Sequence, residues 1–131
     1  FPSDIIKDLN KLSEASKENK TLNLIIAINY GSRQEITSSV KKIAHDIALK
    51  KITINEINEK RISDNLYTKG VPDPDLIIRT GGDCRLSNFL LWQSAYSELI
   101  FIKKFWPEFS QDDFFSAIKE FNQRERRFGG L

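Results

Sequence analysis

Residues 22–28 read Leu-Asn-Leu-Ile-Ile-Ala-Ile, an almost continuously apolar run set directly ahead of the turn Asn29-Tyr30-Gly31-Ser32. A half-exposed strand alternates apolar and polar residues, whereas a run like this one reads as a strand covered on both faces, the habit of parallel sheets. Beyond the turn, apolar residues recur at Ile36, Val40, Ile43 and Ile47. Steps of four and three place them on one helical face. A buried strand that passes through a polar turn into a helix is the opening of an α/β fold.

The rest of the chain keeps that alternation. A helical pattern precedes the polar stretch Ser13 to Thr21. Thr53 and Glu56 have capping-box spacing and open a further helix reaching roughly Tyr67. Pro72 and Pro74 force an extended entry into Leu76-Ile77-Ile78, a short strand ending at Arg79. A helical region over Asn88 to Tyr96 follows, then a strand over Glu98 to Ile102. Ser110 and Asp113 form another capping box ahead of a helix carrying Phe114, Phe115, Ile118 and Phe121. The predicted architecture is α/β, a largely parallel central sheet flanked by helices, with the turns after Ile28 and Ile78 at one edge. All of residues 1–131 belong to one domain on this reading.

Composition removes several classes of function. At 131 residues and 15.1 kDa the chain is expected to bury an ordinary core. Its 20 Lys and Arg stand against 18 Asp and Glu, a net charge of +2, too balanced for a generic polyanion binder. No basic patch interleaved with aromatics and no Gly-rich strand-to-helix fingerprint is present, so nucleic acid is not an expected partner. A single cysteine, Cys84, excludes an intrachain disulfide and a cysteine-based zinc cluster. Apolar runs such as Phe89 to Trp92 are far shorter than the roughly 20 residues of a membrane span. There is no basic-then-apolar signal peptide, and Phe rather than Met at residue 1 suggests a chain that begins inside a longer protein. A reducing cytoplasm is the expected compartment.

Ligands of parallel sheets collect at the carboxyl ends of strands. The segment there, Arg79-Thr80-Gly81-Gly82-Asp83-Cys84-Arg85-Leu86-Ser87-Asn88, places two arginines around a Gly-Gly turn and a serine near a predicted helix start. Glycine lets backbone N–H groups approach an anion, arginine presents a planar fork of donors, and a helix N-terminus favours negative charge. Several donors converging on many oxygens suit a diphosphate. The competing reading is a surface turn whose arginines pair with Asp73, Asp75 or Asp83, and the residues do not separate the two. Arg33, after the first turn, could reach a phosphate or simply solvate its helix. Glu98, at the edge of an apolar segment, needs a cation, which is an arginine or a magnesium ion. The C-terminal Arg124 to Gly130 reads as a solvated basic helix end or as a phosphate contact in a neighbouring subunit. His45 lies off the apolar helix face, and Cys84 reads as an incidental thiol.

Taken together, these segments resemble one family. Asn29-Tyr30-Gly31 with Arg33, Tyr67-Thr68 through Pro72-Asp73-Pro74-Asp75-Leu76, Ile78-Arg79-Thr80, and Arg85-Leu86-Ser87-Asn88-Phe89-Leu90-Leu91-Trp92-Gln93 look like a cis-prenyltransferase. So do Ala95-Tyr96 with Glu98, Trp106-Pro107, and the closing Arg124 to Gly130. The resemblance implies sequential condensation of isopentenyl diphosphate onto an allylic diphosphate such as farnesyl diphosphate. The product is a long-chain polyprenyl diphosphate of the undecaprenyl kind, used as a cell-wall lipid carrier. It implies magnesium as cofactor, a homodimer, and a cytoplasmic enzyme in peripheral contact with the inner face of the membrane through its lipid product. By similarity Arg79, Arg85 and Ser87 bind isopentenyl diphosphate, Arg127 and Gly129 match the terminal Arg-x-Gly element reaching across the dimer, and Glu98 helps place the metal. Asp83 stands where the family usually has Glu, and Ser32 where it usually has Gly. The family's Asp-Gly-Asn-Gly-Arg-Trp motif, with its metal-handling aspartate, has no match here, so the chain resembles a C-terminal half that is inactive alone. A non-catalytic scaffold subunit of the same fold is the alternative.

Overall fold

The computed structural model describes residues 2–125. Helix α1 spans Ser3–Ser16, α2 Ser32–Ala48, α3 the short Glu59–Ser63 and α4 Gln111–Gln123. Strands β1 (Leu76–Thr80) and β2 (Glu98–Ile102) pair in parallel, Leu76 opposite Glu98 and Thr80 opposite Ile102. The ladder is prolonged at both ends. Glu98 N–H donates to Asp75 O at 2.9 Å, and Gly81 N–H donates to Lys104 O at 2.8 Å. The α/β class with parallel pairing stands as predicted.

Three sequence expectations are corrected. Residues 22–28 make no ladder in the described chain, and their side chains lie open: Leu22 is 78% and Leu24 71% exposed. The run is strand-like in composition, but a strand exists only when neighbours take its N–H and C=O groups. The helix predicted over Thr53 to Tyr67 is a 3-10 turn, Ile54–Glu56, followed by α3; its Thr53–Glu56 capping box does form, with Thr53 N–H donating to Glu56 at 2.8 Å. On α2 the buried positions are Ser32, Glu35, Ser39 and Ile43, so the packed face is rotated from the apolar stripe and Val40 is exposed.

The expected ordinary core is also absent. Only Ile43, Leu66, Ile100 and Ala117 are buried hydrophobics among the described residues. The chain exposes 10675 Å², whereas a self-sufficient domain of 15.1 kDa exposes about 7,100 Å². Layers that should close over the sheet and over residues 22–28 are not supplied by these residues.

Helix α4 shows the local rules holding where tertiary contacts are few. Ser110 Oγ accepts from Asp113 N–H at 3.3 Å, and Asp113 accepts from Ser110 N–H at 2.8 Å. Lys104 Nζ, 2.8 Å from Asp113, is the main cause that holds this carboxyl down at about 2, with the Ser110 N–H and hydroxyl adding to it. A carboxyl depressed in the folded state stabilises it at pH above the ordinary 3.8, and that contribution is lost as pH falls towards 2. Ser110→Ala is expected to lower stability by about 1 kcal/mol. It should also move the acid-induced loss of helical circular dichroism to higher pH; an unchanged acid midpoint would contradict the cap's role.

Candidate functional site

Strand β1 delivers Arg79 and Thr80 into the turn Gly81-Gly82 at the carboxyl edge of the sheet. Both glycines are left-handed, with φ of +91° and +80°, a conformation that costs glycine little. Their amides are not free for an anion, contrary to expectation. Gly81 N–H is taken by Lys104 O, and Gly82 N–H donates to Ile102 O at 3.0 Å. The Gly-Gly turn exists to carry β1 past β2, where Phe105 and the Lys103 backbone sit within 4 Å of the space a Cβ would need.

The side chains do converge. Arg79 Nη1 donates to Arg85 O at 2.6 Å and to Ser87 Oγ at 3.1 Å, and its Nη2 lies 3.5 Å from Asp83 Oδ2. Arg85 Nη2 donates to the same Asp83 oxygen at 2.6 Å. Asp83 is therefore the aspartate that the two arginines share, while Arg85 stays 66% exposed. Arg79 Nε is buried and has no acceptor among the described residues. A cationic cluster whose one carboxylate is divided between two guanidiniums, with a donor left over, is chemically suited to an anion rich in oxygen atoms.

Ser87, Asn88 and Leu90 all have positive φ, 49°, 65° and 46°. Such residues cannot continue a helix, and Asn88 to Tyr96 forms a chain of turns instead of the predicted helix. No helix terminus therefore backs Ser87. What backs it is α2. Ser32 N–H donates to Asn88 O at 2.8 Å, Arg33 N–H donates to Asn88 Oδ1 at 2.9 Å, and Leu91 N–H donates to Ser32 Oγ at 3.0 Å. The Asn29–Ser32 turn and the Arg79–Asn88 loop thus lie at one edge, as predicted, although residues 22–28 form no strand. Arg33 enters this contact through its backbone; its side chain is exposed.

Sequence reasoning missed Glu35. Its side chain is fully buried and accepts from Tyr30 Oη at 2.5 Å, Tyr67 N–H at 2.7 Å and Gln93 Nε2 at 3.2 Å. Gln93 also donates to Thr68 Oγ1 at 3.0 Å. Burial, then the bond to Glu35, pushes the Tyr30 hydroxyl up to about 12. A glutamate in a first helical turn ordinarily complements the dipole in solvent. The available signal was the spacing Ser32, Glu35, Ser39, Ile43, a helical face of small side chains around one carboxylate.

Glu98 does not join the arginine cluster. It is the first residue of β2, three residues or about 10 Å of strand before Phe101, the partner of Arg79. Its carboxylate accepts from Arg124 Nη1 at 2.8 Å, so arginine is the cation of the two that were open. Magnesium is usually held by one or two carboxylates plus substrate oxygens. Glu98 is one carboxylate, already engaged, and no group of three or more His, Cys, Asp or Glu side chains converges among the described residues. The described residues by themselves do not fit a magnesium site. Arg127 and Gly129 lie outside the described residues. His45 and Cys84 are exposed, as expected.

Comparison with known proteins gives a consistent result. The prenyltransferase family model for undecaprenyl diphosphate synthase matches residues 1–129. An isoprenyl transferase of Thermotoga maritima is 53% identical over 132 residues, covering 100% of this chain and 55% of its own. That of Staphylococcus saprophyticus is 49% identical over 131 residues, covering 100% of this chain and 52% of its own. The crystal structure of lavandulyl diphosphate synthase from Lavandula x intermedia, in complex with dimethylallyl diphosphate, superposes with a TM-score of 0.93 at 33% identity. That match covers 98% of this chain and 56% of the other. The chain spans about half the length of the curated relatives it matches.

Proposed function

Because the chain belongs to the undecaprenyl diphosphate synthase family, we propose that it is the C-terminal half of a cis-prenyl transferase and carries that enzyme's isopentenyl diphosphate site. The observation that carries this reading is the cluster of Arg79, Arg85 and Ser87, with its unmet Arg79 Nε. Two guanidiniums and a hydroxyl match a diphosphate in charge and in donor number. Their task is to bind and orient the homoallylic substrate. The allylic substrate, farnesyl diphosphate or a shorter analogue, would be held largely by residues outside this chain.

Two features support the assembly implied by this reading. The surface left open around residues 22–28 is the place for strands of an N-terminal half. The exposed Phe89, Leu91, Tyr96, Phe105 and Trp106 offer an apolar face for a homodimer. In such a dimer Arg127 and Gly129 would approach the partner's diphosphate. Magnesium enters through Glu98 only if a diphosphate and a second carboxylate accompany it. No helix among the described residues is long and apolar enough to cross a membrane; we place the full-length enzyme in the cytoplasm, touching the membrane through its undecaprenyl product.

The scaffold alternative shares the fold but has no reason to retain a divided Asp83 and an unmet Arg79 donor. The two are separated in the full-length protein supplied with magnesium, farnesyl diphosphate and labelled isopentenyl diphosphate. The expected result is elongated polyprenyl diphosphate, and competition by isopentenyl diphosphate far stronger than by isopentenyl monophosphate. Binding of isopentenyl diphosphate without elongation favours the scaffold, and equal competition by the monophosphate removes the diphosphate site.

A further inference from the structure

We propose that Asn88 is a positioning residue for isopentenyl diphosphate: it clamps the Ser87-bearing turn to the start of α2. The inference rests on the reading of Arg79, Arg85 and Ser87 as the diphosphate site. Asn88 acts on this reading through its neighbour Ser87.

The geometry is two-sided. Asn88 takes two successive amides of α2, Ser32 N–H on its main-chain oxygen at 2.8 Å and Arg33 N–H on Oδ1 at 2.9 Å. These are first-turn donors that have no partner within the helix. Ser32 Oγ answers by accepting from Leu91 N–H at 3.0 Å. The clamp therefore brackets Leu90, whose φ of 46° is a costly conformation for a side chain with no polar atom of its own. Left-handed backbone at Ser87, Asn88 and Leu90 persists only where surrounding bonds over-determine it. Those bonds run through Asn88 and Ser32.

The fit is close on the α2 side as well. A Cβ at Gly31 would lie 2.8 Å from Asn88 Nδ2, so glycine at 31 leaves room for the Asn88 amide. On the other side, Ser87 Oγ receives Arg79 Nη1 at 3.1 Å. Asn88 thus links α2 to the hydroxyl and, through it, to the arginine that would meet the diphosphate. Loss of the side chain frees the turn to leave its left-handed path and carries the Ser87 hydroxyl away from the substrate.

The experiment uses steady-state kinetics of the full-length protein with isopentenyl diphosphate and farnesyl diphosphate varied in turn. Asn88→Gly removes the amide without straining the backbone at φ 65°. Asn88→Asp keeps the acceptor for Arg33 N–H. The expected result is a KM for isopentenyl diphosphate raised roughly tenfold in Asn88→Gly, the worth of about one hydrogen bond. Its kcat and its KM for farnesyl diphosphate should stay within twofold, and Asn88→Asp should restore most of the loss. Arg79→Ala is the control. If Arg79→Ala weakens isopentenyl diphosphate and Asn88→Gly does not, the clamp is wrong; if Arg79→Ala changes nothing, the site reading falls and the clamp with it. Equal losses for both substrates, or no rescue by Asn88→Asp, make Asn88 merely structural and overturn the proposal. Should Asn88→Gly not fold, Gly31→Ala tests the same contact from α2, with the same selective rise in KM expected and its absence counting against the clamp.

Discussion

Glu35→Ala is expected to destabilise the protein more than any other single truncation among the described residues. The Glu35 carboxylate is fully buried and collects Tyr30 Oη, Tyr67 N–H and Gln93 Nε2. These three donors belong to the turn before α2, to the segment after α3, and to the turns between β1 and β2. Alanine takes the shared acceptor from all three, at about 1–3 kcal/mol for each donor left buried without one, against a total stability of about 5–15 kcal/mol. Glu35→Gln keeps the volume and one oxygen, so its loss should be smaller. Urea unfolding of the full-length protein reads both: the midpoint should fall sharply for Ala and moderately for Gln, with similar slopes. Equal midpoints for wild type and Glu35→Ala would mean that the network is not a keystone.

The same network has an alkaline signature. Tyr30 titrates at about 12 when folded against an ordinary 10.0. A hydroxyl raised in the folded state stabilises it fully below pH 10, and the contribution disappears as pH rises through 12. Tyr30→Phe should remove that alkaline dependence.

Arg79→Ala is expected to have the largest effect on ligand binding. The guanidinium holds Arg85 O and Ser87 Oγ and carries the unmet Nε donor. Its removal therefore takes away both a charge-assisted bond and the tether of the loop. Such a bond is worth about 1.5–3 kcal/mol, or roughly tenfold to a hundredfold in affinity. Arg85→Ala, whose side chain is mainly in solvent and, among the described residues, tied only to Asp83, should lose a direct contact with less disturbance of the loop. Arg85→Lys should also be impaired, since an ammonium cannot reproduce the planar fork. Titration with isopentenyl diphosphate measures all three. Unchanged dissociation constants for Arg79→Ala and Arg85→Ala would make the cluster structural.

The residues of the candidate site were legible because their chemistry is local. Arginines around a Gly-Gly turn at the end of an apolar triplet suit an anion or a neighbouring aspartate equally, and the structure gathers Arg79, Arg85 and Ser87 around the turn with Asp83 shared between the arginines. The backbone around that cluster departs from the expectation. The Gly81 amide is taken by Lys104 O and the Gly82 amide by Ile102 O of β2 rather than left for a ligand; the helix expected behind Ser87 gives way to left-handed turns because Asn88 and Leu91 are bonded to α2. For Glu98 the residues leave arginine and magnesium open; the fold puts it at the opposite end of β2 and gives it Arg124.

What the sequence determined by itself was set by short-range interactions. Capping boxes at Thr53 and Ser110, the proline-forced entry to β1 and the glycine-dependent turn after it depend on residues within a few positions of each other. Such local preferences need no distant surface to be satisfied. Tertiary structure alone decided the buried face of α2, the burial of Glu35 and the fate of residues 22–28. Each is a matter of which distant surface arrives. A helix with several partly apolar faces buries the one its neighbours cover, a carboxylate is buried only where donors 32 and 58 residues away converge on it, and an apolar run becomes a strand only when other strands bond its edges. The surface of 10675 Å² records the last of these: the composition can fill a core, but the layers needed to enclose it do not come from these residues.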